Sequence, residues 1–321
     1  MFESQVYDFI DFQESIANGT GSEDQLADAM GGFWSTPIET QALISSLYAD
    51  ASAGRIHIFG LDPQVVGITQ LYSQYELPAV LADRLQARRK TECVKELSRF
   101  TQGLYDDQSP YNESARTRLR ACLAEIDKLD RSSGSKSIEI QARNLRRFID
   151  FPSDSRRNTF NARDAAMFDN LVWFKERLPK NTKIIVWCAT VHAAKEGLEP
   201  DIVPMGQKVH ELLGEQAAAI GFSARAGAQG GISGTPTALV DAPAGSLEAK
   251  SADLGVRYLG RDKLDSLGAV PARAFNYFKF QTADWGRKLD GLVLMGRESP
   301  PNYLRKPGPR RKRPDDALGH D

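Results

Sequence analysis

The chain has 321 residues, 41% of them apolar and 26% charged, with 41 basic against 42 acidic side chains. That composition excludes disorder as the main state, and the length predicts about two domains or one large α/β unit with a substantial core. A formal net charge of −1 excludes whole-surface attraction to nucleic acid or to an anionic membrane, so any such partner needs a local patch.

In chain order, the start MFESQVYDFIDF carries acids where a secretory signal carries lysine or arginine. No run approaches the ~20 apolar residues of a membrane span. Ile38 to Ala51 reads as a helix, and Ile56 to Pro63 as a β-branched strand in which His57 is packed. From Ile68 to Phe151 long helical patterns rich in Leu, Arg, Glu and Ala predict a helical subdomain, broken at Asp106 to Asn112 around Ser109-Pro110. Arg131 to Ser137 (RSSGSKS) is a loop by composition. Ala165 to Leu178 is a helix headed by Arg163, followed by a buried strand over Thr182 to Cys188. Ala217 to Phe222 and Leu289 to Met295 add later strands, and Gly227 to Gly231 reads as a flexible loop. The alternation predicts an α/β fold with a central, mainly parallel sheet and a large helical subdomain at about residues 68–151.

The folded domain is expected over residues 1–298, with residues 299–321 as a basic, unpacked tail. Six basic residues fall in Arg305 to Arg313, and without them the body holds 35 basic residues against 42 acids. The tail has neither aromatic interleaving nor a recognised module, so nucleic acid is not an expected partner. Cys93, Cys122 and Cys188 are odd in number and widely spaced, which favours a reducing, cytoplasmic setting with no disulfide framework.

Chemistry in such folds gathers at the carboxyl ends of strands. Of the histidines His57, His192, His210 and His320, only His192 follows directly on a predicted buried strand. An acid–base site needs a group titrating near neutrality, a carboxylate beside it and a cation for developing negative charge. Glu3 and Asp62 are carboxylates at predicted strand edges, and Arg163 is a nearby cation in sequence terms. Each has a plainer alternative, a turn or cap for Asp62 and a surface ion pair for Arg163. No nucleophile elbow, phosphate loop or zinc-protease motif is present. No cofactor is expected, and the histidines do not supply a transition-metal set, oxygen-ligand metals staying open.

Several segments occur in a recognisable order: Phe2-Glu3-Ser4; Phe33-Trp34-Ser35-Thr36 with Glu39; Phe59 to Gln64; Arg163-Asp164-x-x-Met167-x-x-Asn170-Leu171-x-Trp173; Lys183 to His192; Met205-Gly206; Ile220-Gly221-Phe222; Pro243 to Glu248; and Lys288 to Leu292. Together they resemble the erythromycin esterase family. The resemblance implies an α/β core and a helical subdomain with a cleft between them, and hydrolysis of an ester or lactone by activated water. On that basis Glu3 and His192 are the expected catalytic residues, Arg163 and Asp62 the expected substrate-binding residues, and a small-molecule ester or lactone the partner. Two departures stand out. The family strand commonly ends W-A-H-N-x-H, whereas this chain reads Trp187-Cys188-Ala189-Thr190-Val191-His192. Family members also carry a strand and a G-E-x-x-H-G motif upstream of the glutamate matched by Glu3, so the sequence reads as lacking the first strand. The alternative function is a catalytically impaired binding or accessory protein of the same fold, linked to polysaccharide metabolism.

Overall fold

The computed structural model describes residues 1–65, 70–133, 136–152, 154–230, 236–250 and 255–303. Strand β1 (Phe2–Gln5) leads into α1 (Val6–Ala17), which buries Val6, Tyr7, Phe9 and Ile10 at helical spacing. Helix α2 (Glu23–Met30) starts where the Ser22 side chain accepts from the Gln25 N–H, with Glu23 and Asp24 favourably placed in its first turn. The short α3 (Gly32–Ser35) and α4 (Gln41–Ser52) lead to β2 (Gly60–Asp62).

β1 lies parallel to β2, pairing Phe2 with Gly60 and Gln5 with Asp62. Gly60 is required there, because a Cβ would stand 2.3 Å from the Gln5 carbonyl oxygen. The other edge of β1 is bonded to the expected strand at residues 182–188: Trp187 N–H donates to the Met1 carbonyl (2.8 Å) and Glu3 N–H to the Trp187 carbonyl (2.9 Å). This segment forms a bridge at Trp187 rather than a full ladder. The physical reason lies on its far side, where the backbone groups of Ile184, Val186 and Cys188 make no backbone hydrogen bond among the described residues.

The expected helical region comprises a π-helical turn at Tyr72–Glu76, α5 (Leu77–Ala82), α6 (Ala87–Thr101), α7 (Glu113–Ser133) and α8 (Lys136–Ile149), which share a core with α1, β2 and, later in the chain, Met167, Leu171 and Phe174. The expected break falls between α6 and α7. Of the expected loop at Arg131 to Ser137, Arg131 to Ser133 end α7 and Lys136 and Ser137 open α8, while Gly134 and Ser135 lie outside the described residues. Long helices packed on a common core override the weak propensity of serine there. A second correction concerns the cysteines. Cys93 on α6 and Cys122 on α7 are bonded, with Cα atoms 5.5 Å apart, and only Cys188 is free. Packing the two helices side by side brings together residues whose wide spacing had favoured a reducing setting.

Helix α9 (Arg156–Lys175) opens with the Ser155 hydroxyl accepting from the Asn158 N–H, so Arg163 lies two turns inside it rather than at its head. Asp164, Met167, Leu171 and Phe174 form its buried stripe. Asn170 ties that stripe to β2 by donating to the Leu61 carbonyl (2.8 Å). The helical turn α10 (Thr190–Ala193) and α11 (Met205–Leu213) follow, with His210 half-buried on α11.

The C-terminal sheet has the order β4-β3-β8-β5, from β3 (Ile220–Gln229), β4 (Thr237–Ala238), β5 (Val256–Gly260) and β8 (Gly291–Glu298). β3 and β8 are parallel, in keeping with the apolar runs that mark them, while β4 and β5 join antiparallel. Between them lie α12 (Arg261–Asp265), the antiparallel pair β6 (Ala269–Ala272) and β7 (Gln281–Asp284), and α13 (Trp285–Lys288). Gly227 to Gln229, expected as loop, are the end of β3, paired there with β4 and β8. The start of the expected tail is also packed. Asn302 donates its backbone N–H and side-chain amide to the Glu39 carboxylate, and Tyr303 bridges to Pro37. Residues 304–321 lie outside the described residues. His57, expected to be packed, is exposed, with its ring 6.2 Å from that of Phe59. Among the described residues no helix is long and apolar enough to cross a membrane.

Candidate active site

The carboxyl ends of β1, β2 and the 182–188 segment point toward the first half of α9, and this convergence joins residues up to 189 positions apart. β1 contributes Glu3 and β2 contributes Asp62; α9 presents Phe160, Arg163 and Asp164, and α10 presents His192. Arg163 and Asp164 are adjacent, so they diverge by about 100° around the helix: Asp164 turns into the core, and Arg163 toward the strand ends.

The Arg163 guanidinium is the hub. Its Nη2 donates to Glu3 Oε1 (2.8 Å) and to Asp62 Oδ2 (2.6 Å), and its Nε also donates to Asp62 Oδ2 (3.1 Å). Asp62 keeps its second oxygen for the Gln64 N–H (3.0 Å). Burial disfavours the charged guanidinium, but the two carboxylates outweigh it and hold Arg163 protonated. Glu3 Oε2 accepts from the Ala189 N–H (2.8 Å). Burial raises the Glu3 carboxyl, yet the hydrogen bond and charge of His192, the charge of Arg163 and the Ala189 amide together bring it down to about 2.

His192 is 4% exposed and held on two sides. Its Nδ1 lies 2.8 Å from Asp164 Oδ2, and its Nε2 lies 3.3 Å from both Glu3 Oε1 and Arg163 Nη1. Phe160, 5.0 Å away and nearly parallel, covers the ring face. Burial depresses the imidazolium, but Asp164 and then Glu3 overcome that and raise its pKa to about 9. Asp164, wholly buried, is itself raised by burial despite its bond to His192. Its other oxygen accepts from the Met205 N–H (2.7 Å) at the start of α11. Gly206 permits that approach, since a Cβ would stand 2.0 Å from the Ala193 carbonyl oxygen of α10.

Because Nδ1–H is committed to Asp164, the two charge states of His192 differ at Nε2. The imidazolium donates there to Glu3, and the neutral ring accepts there from Arg163. Burial pushes the nearby Cys188 thiol up to about 12, helped by the Glu3 and Asp164 charges, so it does not ionise as a nucleophile near neutrality. Among the described residues no three His, Cys, Asp or Glu side chains are grouped to hold a metal ion.

All four residues expected from the sequence, Glu3, Asp62, Arg163 and His192, meet at this centre. Asp164 and Phe160 were not singled out. For Asp164 a signal existed, since its i+3 and i+7 neighbours Met167 and Leu171 mark the buried face of a helix, and a carboxylate on that face needs a partner. Phe160 had no comparable mark.

In sequence the chain matches no curated protein. Among solved structures, a Bacillus cereus protein shares 17% identity with a TM-score of 0.69, the match covering 95% of this chain and 81% of that one. A succinoglycan biosynthesis protein shares 16% at a TM-score of 0.69, over 95% of this chain and 80% of its own. A histidine-to-asparagine mutant of the erythromycin esterase EreC, in an open conformation, shares 16% at 0.61, over 91% of this chain and 81% of its own. At such identities the likeness concerns the fold. The sequence profile of the erythromycin esterases, in contrast, matches residues 2–291, nearly the whole described chain, and the chain belongs to the erythromycin esterase family.

Proposed function

We propose that the chain hydrolyses an ester or lactone of a small molecule by activating water at the edge between Glu3 and His192. The observation that carries this reading is the division of labour on the imidazole: Nδ1 is fixed by Asp164 at 2.8 Å, and Nε2 faces a carboxylate and a guanidinium at 3.3 Å. Neutral His192 takes a proton from water through Nε2, with Glu3 orienting that water. Arg163 stabilises the oxyanion of the tetrahedral intermediate, and the imidazolium returns the proton to the leaving alkoxide. Asp62 positions Arg163 rather than touching substrate, since both of its oxygens are already engaged. Family membership supports esters and lactones of small molecules, macrolides among them, as the substrates to screen. The test is turnover of a panel of macrolides, simple lactones and alkyl or aryl esters by the folded protein and by His192→Ala. Hydrolysis abolished by the substitution supports the reading, and no turnover of any member between pH 6 and 10 rejects it.

One observation favours a second reading, a binding or accessory protein of the same fold. Ala189 and Thr190 stand where the family strand carries histidine and asparagine, so no second imidazole joins the centre, and His192 at about 9 is mostly protonated at neutral pH. That reading predicts saturable ligand binding with no product.

A further inference from the structure

A cleft of about 750 Å³ lies between the helical region and the strand-end turn after Asp62. Its size is that of a small-molecule pocket. Five rings line it, Phe100, Tyr105, Tyr111, Phe148 and Phe151. They pack against one another, Phe100 lying 5.2 Å from Phe148 and 5.4 Å from Tyr111, and Phe151 meeting Phe148 edge-on at 5.7 Å. The one charged lining residue is Arg116, half-buried with its guanidinium 5.1 Å from the centre of the Tyr111 ring. Arg116 forms no ion pair among the described residues, and no Asp or Glu lines the cleft.

Two walls connect this cleft to the candidate active site. Gln64 lines it while its N–H holds Asp62. Thr159 lines it and lies one helical turn before Arg163 on α9, next to the Phe160 that covers His192.

We propose that this cleft binds a planar aromatic group bearing an anionic substituent, which fixes the substrate as an ester or lactone with an arene carboxylate or similar anion attached. The inference rests on the hydrolytic reading for the fate of the bound molecule, but not for its binding. Tilted and edge-on rings favour a flat π-system over an aliphatic ring of equal volume. A guanidinium that hydrogen-bonds Tyr111 but has no ion pair among the described residues selects a carboxylate and disfavours a protonated amine, which finds no counter-charge in the lining.

The test is calorimetric binding of three non-hydrolysable probes to the whole chain: 2-naphthoate, its saturated counterpart decahydro-2-naphthoate and 2-naphthylmethylammonium. The expected order places naphthoate first, with Arg116→Gln weakening it about tenfold and Arg116→Lys recovering most of that loss. Equal affinity for naphthoate and either other probe overturns the proposal, as does an unchanged naphthoate affinity in Arg116→Gln. Because the probes carry no ester, naphthoate binding without turnover of any ester rejects the hydrolytic reading alone. Turnover with no preference among the probes rejects this proposal alone.

Discussion

Replacing Asp164 by Asn tests the electrostatic core of the site. The substitution keeps an oxygen for the Met205 N–H but turns an amide NH2, a donor, toward His192 Nδ1, so it removes the charge-assisted hydrogen bond that contributes most to raising His192. In the wild type His192 rises from 6.5 to about 9, a folded-state pKa above the unfolded one. The resulting stabilisation is therefore complete below pH 6.5 and is lost as pH rises through 9. At 1.36 kcal/mol per pH unit the shift corresponds to about 3 kcal/mol, and the burial of His192 and Asp164 calls for no solvent discount. Without the Asp164 charge, burial pulls the imidazole down against Glu3 alone. The stability advantage of wild type over Asp164→Asn is expected to shrink by about 3 kcal/mol between pH 6 and pH 10. Urea unfolding at several pH values measures it, and NMR titration follows His192 directly in a chain with four histidines. A pH-independent difference, together with a His192 midpoint that stays near 9 in the variant, refutes the reasoning.

Three further outcomes follow from groups outside the candidate active site. Asp8 on α1 is fully buried with Oδ2 unpartnered, and burial, assisted by Asp11 and opposed by the Ser73 hydrogen bonds, raises it to about 7. Its folded-state pKa exceeds that of the unfolded chain, so wild-type stability falls as pH rises from 3.8 to 7; Asp8→Asn is expected to gain up to about 4 kcal/mol at pH 8 and little at pH 4, read by urea unfolding. The Cys93–Cys122 bond closes a loop with a sequence separation of 29, and its removal in the double Cys→Ser variant is expected to cost about 3.5 kcal/mol in chemical denaturation. Gly206→Ala forces a Cβ onto the Ala193 carbonyl and separates α10 from α11; a loss of about 1–3 kcal/mol and a fall in activity are expected, measured by thermal unfolding and turnover.

The parts of the site that were legible in the sequence are those at strand ends. Asp62 and His192 each lie where an apolar extended run stops, and an α/β fold collects such positions at one edge of its sheet, whereas Glu3, inside β1, was legible only through the family resemblance of Phe2-Glu3-Ser4. Arg163 and its carboxylate partners Glu3 and Asp62 are more than a hundred residues apart, so their union depends on where α9 crosses the sheet, which Asn170 and the buried Met167, Leu171 and Phe174 decide. Composition misled where packing overrides propensity, as in the serine-rich end of α7 and the glycine-bearing end of β3. The segment Val256-Arg257-Tyr258 alternates apolar and polar residues over too few positions to mark a strand, and it is its antiparallel pairing with β8 that makes it one. Asn302 shows the limit of reading a basic, proline-rich stretch as unpacked: a few hydrogen bonds to Glu39 suffice to anchor its beginning.

The central claim is that His192 Nε2 carries the proton in hydrolysis, under the control of Asp164 and beside Arg163 and Glu3. The pH dependence of kcat/KM on the best substrate of the ester panel tests it most directly. With neutral His192 as the base, the rate is expected to rise with pH and level off above about 9, and Asp164→Asn is expected to move that limb to lower pH while lowering the plateau. A rate with no limb between pH 6 and 10, or a His192→Gln variant that keeps the wild-type rate and profile, contradicts the account.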